Sequence, residues 1–316
     1  MIAGGIRRAT LCAALWWAIG QAVVYAQTVD DGVMIPAKSI FAGYLFTHDS
    51  WDHYWEGTLN RANGNIGTLT TETSTLSADY GLTNRINLLG TVPYVGTQSS
   101  QGVLASQQGW QDVTLAVKIL VFHHSFRRLG ALAAFAVPFW GKPMTNYTPD
   151  LQPLSIGLDS MRAGGRATLN FQSYKGWFLN ASGAYTWRDS VTLDRPYYFT
   201  NNQFFETDIV PMPRVVDYSI SPGYSKKGRM VQFTFSKLIT QGGVDSGDIR
   251  RQDLPFVSNR MIASRVGGST MYPLPRAFGL ALRLEYSYVI DGRNVGQSST
   301  VTVGLFKTQS LRRRKI

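Results

Sequence analysis

Apolar and polar residues alternate with a period of two along most of the chain after position 38. Between 177 and 188, Trp177, Leu179, Ala181, Tyr185 and Trp187 share one face, and Phe178, Asn180, Ser182, Thr186 and Arg188 share the other. The division recurs over 112–122, where Val113, Leu115, Val117 and Ile119 oppose Asp112, Thr114 and Lys118. Over 161–172, Ala163, Ala167, Leu169 and Phe171 oppose Arg162, Arg166, Thr168 and Asn170. Val216, Tyr218 and Ile220 oppose Asp217, Ser219 and Ser221, and Leu280, Leu282, Leu284 and Tyr286 oppose Ala281, Arg283, Glu285 and Ser287. Side chains of a strand alternate between its two faces, so this period predicts strands. About twelve are expected, starting near Ser39, Gly67, Arg85, Gln111, Leu129, Met161, Trp177, Arg214, Arg229, Ser258, Ala277 and Gln297.

The gaps between these strands are sorted by length. Gaps at 81–84, 123–128, 174–176, 225–228 and 272–276 are short; those at 49–66, 96–109, 140–160, 189–213 and 240–257 are long. A membrane barrel with short periplasmic turns and long outer loops has this rhythm. The apolar face is a uniform band, with Trp177 and Trp187 at its two ends where interfacial aromatic belts would lie. The polar face mixes small and charged residues, as a narrow wet lumen would. Backbone groups in hydrocarbon must be paired internally, and a closed barrel does so without a free edge. The expected fold is therefore all-β, a transmembrane antiparallel β-barrel over 39–306.

Composition adds direction. Sixteen per cent charged residues with 31 Gly, 15 Tyr, 16 Phe and 8 Trp suits many turns and aromatic girdles. Arg7 and Arg8, the apolar run 11–19 and Val24-Tyr25-Ala26 have the layout of a signal peptide over 1–26. Export then places the mature chain in a Gram-negative outer membrane. The single cysteine, Cys12, lies in that leader, so the mature chain has no disulfide or thiolate site. Residues 27–38 read as a short periplasmic lead with no room for a plug domain, which excludes an energy-coupled receptor. Formal charge is +11, or +9 without the leader, and Arg312, Arg313, Arg314 and Lys315 concentrate four positives in a basic tail over 307–316. With no basic stripe elsewhere, nucleic acid is not an expected partner; the tail suits anionic lipid or solvent. An aromatic closing the last strand at Phe306 suits the barrel-assembly machinery.

Two sets of residues could carry function. The outer mouth of the first hairpin gathers His48, Asp49, Trp51, Asp52, His53, Trp55 and Glu56. Such a cluster could form an ordered loop, a solute gate with stacking indoles, or a divalent metal site. The predicted lumen carries Arg85, Lys118, Arg162, Arg166, Arg188 and Arg283 against Asp112, Asp217 and Glu285. These charges either set a mild anion preference or pair across the lumen and brace it. Lys118, Arg162, Arg166, Asp217, Arg283 and Glu285 are the expected solute path. Only four histidines exist, and no acyl-hydrolase signature surrounds His48, Ser50 and His53. No catalytic residue, metal or cofactor is therefore assigned. No phosphate-binding glycine loop occurs.

Two stretches carry a resemblance. DYGLTNRINLLGTVPYV at 79–95 and GWQDVTLAVK at 109–118 resemble signature hairpins of the outer-membrane transporter family associated with the meta-cleavage pathway of phenol degradation. The likeness is clearest over 39–139. It implies an outer-membrane pore for passive uptake of small, aromatic or hydrophobic solutes. It carries over no ligand residues, because the matching motifs are architectural. The alternatives are a barrel enzyme acting on lipid and a structural barrel without transport.

Overall fold

The computed structural model describes residues 28–144, 154–157, 159–193, 196–200, 203–243, 260–274, 277 and 279–311. The expected signal peptide, the tail 312–316 and the middle of the 140–160 loop lie outside them. Twelve long strands form one ring: β1 (Ser39–Trp51), β2 (Leu69–Gly81), β3 (Ile86–Ser99), β4 (Val113–Phe126), β5 (Gly130–Lys142) and β6 (Arg162–Ser173). It continues through β7 (Trp177–Arg188), β8 (Arg214–Lys226), β9 (Arg229–Gln241), β10 (Ile262–Leu274), β11 (Leu280–Arg293) and β12 (Ser299–Ser310). Each strand pairs antiparallel with its sequence neighbours, and β1 pairs with β12 from Ser39 opposite Ser310 to Ser50 opposite Ser299. The sheet therefore closes into a twelve-stranded barrel with no free edge. A short segment, Gln107–Trp110, extends the β4 side of β3.

The alternation sets the two faces. In β7, Trp177, Leu179, Tyr185 and Trp187 are exposed while Phe178, Asn180, Ser182 and Ala184 are buried in the lumen. Aromatic pairs mark both ends of the outer band. At the short-turn rim Trp177 meets Tyr224 edge-on, and the Arg229 guanidinium lies 4.7 Å over the Tyr272 ring. At the opposite rim Tyr94 meets Trp110.

Among the boundaries that differ from the sequence reading, three strand ends share one reason. Antiparallel pairing continues as long as both partners extend, even where polar side chains leave the apolar band. Thus β1 runs through His48, Asp49 and Trp51; β4 runs through His123 and His124, leaving 127–129 as its turn; and β12 passes Phe306 to end at Ser310. Phe306 is not the closing aromatic. It points inward, 3% exposed, and stacks on Phe41 at 5.1 Å. Two glycines make this possible: a Cβ on Gly43 would lie 2.1 Å from the Phe306 ring, and one on Gly304 2.7 Å.

The 27–38 lead is not a free periplasmic segment. Residues 28–38 run into the barrel as a strap. The Lys38 amide donates to the Gly81 carbonyl at the short-turn rim, and Ile35 packs among Phe41, Met271, Ala281 and Phe306. Gly32 lies against Asn170, and Val29, like Phe139, packs on the cluster of Leu89, Ala116 and Val137.

Gly43→Val should overpack this site and cost about 1–3 kcal/mol. Heat-modifiable gel migration should show a lower unfolding temperature, and adding Phe306→Ala should restore much of it. An unchanged temperature in the single variant would place Phe306 elsewhere.

Candidate functional site

The lumen is built around charge pairs. Lys118 on β4 is fully buried, and its Nζ donates to the Asp31 carboxylate at 2.6 Å and the Thr28 carbonyl at 2.8 Å. The Phe135 ring lies 5.3 Å from the same ammonium. Asp31 also accepts from the Thr28 amide, the Thr28 hydroxyl and the Val33 amide. A buried cation needs such partners, because desolvation costs more than a solvated pair returns. Lys118 is therefore spent on holding the strap.

The arginines divide between struts and lining. Arg162 crosses Gly141 of β5, where a Cβ would clash with it, and donates to the Thr114 hydroxyl of β4. Arg166 reaches Asp217 at 2.5 Å and the Ser182 hydroxyl at 2.9 Å, tying β6, β7 and β8 together. Arg283 pairs with Glu285 on its own strand at 2.6 Å. Arg188 stands opposite Arg162 in the β6–β7 register. Arg85, placed in the lumen by alternation, instead sits exposed in the 82–85 turn.

Around these pairs a cavity of about 300 Å³ remains. Its walls come from β6 and from β8 to β11, and Asp30 of the strap also lines it. Arg166, Asp217 and Glu285 border it; Lys118, Arg162 and Arg283 do not. Sequence reasoning missed Arg265, which also borders it, and missed Asp30 altogether. The period-two alternation of β10 could have found Arg265. Nothing in 27–38 signals that Asp30 enters the barrel.

The mouth cluster is split rather than gathered. His48 lies on the outer face 3.6 Å from Glu72, while Asp49 turns inward to accept from the Thr300 hydroxyl. Trp55 is buried against Ala263, Val289 and Val295 on the short hairpin 53–62, and Glu56 pairs with Arg61. The Trp51 ring lies against Gly296. His53 bonds Asp52 at 2.9 Å, which holds that carboxyl below its ordinary range because the contact favours the charged form. Among the described residues no three histidine, cysteine or acidic groups converge for a metal, and no serine is bonded to either imidazole. The hairpin leans on the 294–298 loop through the Trp55 amide to the Val295 carbonyl and the Gln297 amide to the His53 carbonyl. On the other side Leu154 is buried, its carbonyl accepting from the inward Thr97 hydroxyl at 2.5 Å.

Comparison with solved structures decides the fold. The COG4313 outer membrane channel from Pseudomonas putida F1 superposes with a TM-score of 0.69, covering 90% of this chain and 100% of that one at 13% identity. The fold is that of an outer-membrane channel. The translocator domain of autotransporter NalP from Neisseria meningitidis (TM-score 0.42, 10% identity, 95% of each chain) is more distant. So is the CymD monoaromatic hydrocarbon channel (0.41, 7% identity, 88% of this chain and 90% of that one). At these scores neither carries an argument. No family model and no curated protein matches the chain.

Asp31→Asn should leave the Lys118 ammonium buried without its counter-charge, at a cost of about 3–5 kcal/mol, and free the strap. The mature chain lacks cysteine on the sequence reading, so a Val29→Cys probe reports this cleanly. Maleimide labelling of Val29→Cys should be slow alone and many-fold faster with Asp31→Asn. Equal rates would show that this pair does not hold the strap.

Proposed function

We propose that this chain is an outer-membrane pore for passive uptake of small solutes. The observation that carries this reading is the solvent-sized chamber inside a closed barrel, about 300 Å³ and bordered by Arg166, Asp217 and Glu285. A structural barrel would gain from filling that space. Eight strands give a lumen that side chains just fill and sixteen an open channel, so twelve suits a restricted pore.

Two finer readings follow. The resemblance at 79–95 and 109–118 supports aromatic or hydrophobic solutes. The layout of Arg7, Arg8, the apolar run 11–19 and Val24-Tyr25-Ala26 supports removal of 1–26 as a signal peptide.

Arg166→Ala should uncover the Asp217 carboxylate and move ion preference toward cations. Reversal potentials across planar bilayers under a KCl gradient should shift in that direction, and unchanged potentials would remove Arg166 from the conduction path. Absence of any conductance in the parent protein would count against the pore itself.

A further inference from the structure

The charges bordering the chamber are not all spoken for. Arg166 is neutralised by Asp217, and Glu285 by Arg283. Lys237 touches the rim, but its alternation with Phe233 and Phe235 directs it to the outer face. Two groups remain, Arg265 on β10 and Asp30 on the strap. Both are exposed to the cavity, and among the described residues neither has a hydrogen bond or ion pair. They are opposite in charge and form no ion pair with each other.

The surroundings are built for a polar guest. Gln232, Ser236 and Ser269 line the same space, and the Ser269 hydroxyl is buried without a partner. Ile290 is an extra residue in β11, skipped where Ser264 pairs with Asp291 and Arg265 with Val289. Such bulges re-aim side chains and concentrate beside functional sites. The bulge lies on β11 beside the Arg265–Val289 pair, while Arg265 keeps its inward place opposite Ser236 of β9.

We propose that the chamber takes a small dipolar solute, its carboxylate on Arg265 and its ammonium on Asp30. A guanidinium presents paired donors that match a carboxylate, and a carboxylate lining the same cavity answers an ammonium. A solute with both ends replaces the water lost by both groups, whereas a solute with one end leaves the other group desolvated and unpaired. This inference rests on the pore reading and assigns it a substrate class.

The test measures entry into proteoliposomes of 4-aminobutyrate, butyrate and butyltrimethylammonium, each relative to erythritol and corrected for protein-free vesicles. The dipolar solute should enter roughly tenfold faster than either single-charge analogue, the factor of about one charge-assisted hydrogen bond. Arg265→Gln should bring it to the level of the cation, and Asp30→Asn to that of the anion. Equal relative rates for the three solutes, or a preference that survives both substitutions in folded protein, would overturn the dipolar site while leaving the pore intact. Failure of erythritol itself to enter would overturn the pore reading, and the site with it.

Discussion

Everything in this molecule follows from the need to pair each backbone amide and carbonyl inside the sheet. The register from Ser39–Ser310 to Ser50–Ser299 closes the ring, and with it the last pair of edges disappears. Closure fixes the bore. It also fixes which residues face outward, since a slip by one position would turn every apolar side chain of a strand into the lumen.

A twelve-stranded bore is too wide for its own wall to fill, and the chain answers with material from three places. Inward aromatics such as Phe41 and Phe306 occupy space that Gly43 and Gly304 leave open. The strap 28–38 covers the apolar wall of β3, β4 and β5, locked by the Lys118–Asp31 pair. Loop segments around Trp55 and Leu154 pack at the outer end. A polar chamber remains against β6 and β8 to β11, bordered by matched and unmatched charges. Of the expected lumen charges, Lys118, Arg162 and Arg283 brace the wall away from the chamber, while Arg166, Asp217 and Glu285 border it.

The barrel was legible because lipid contact constrains one face of every strand. Leu179, Tyr185 and Trp187 had to be apolar, so the period of two survives in the sequence, and with it the inward placement of Arg162, Arg166 and Asp217. Strand ends were less legible. Above the apolar band, polarity ceases to report direction, so His48 and Asp49 look like loop residues although pairing carries β1 through them to Trp51. The strap could not be read at all. Its place depends on Asp31 meeting Lys118, 87 positions away, and on a cavity that exists only once the ring has closed. Phe306 misled for a related reason: alternation gives a face, but the room for an inward ring comes from glycines on neighbouring positions and strands.

The most direct measurement of this account is the size limit for neutral solutes entering liposomes that contain the purified, folded protein. A restricted pore around a chamber of about 300 Å³ should admit glycerol and erythritol and exclude tri- and tetrasaccharides. Entry of none of these solutes, or entry of tetrasaccharides as fast as glycerol, would contradict it.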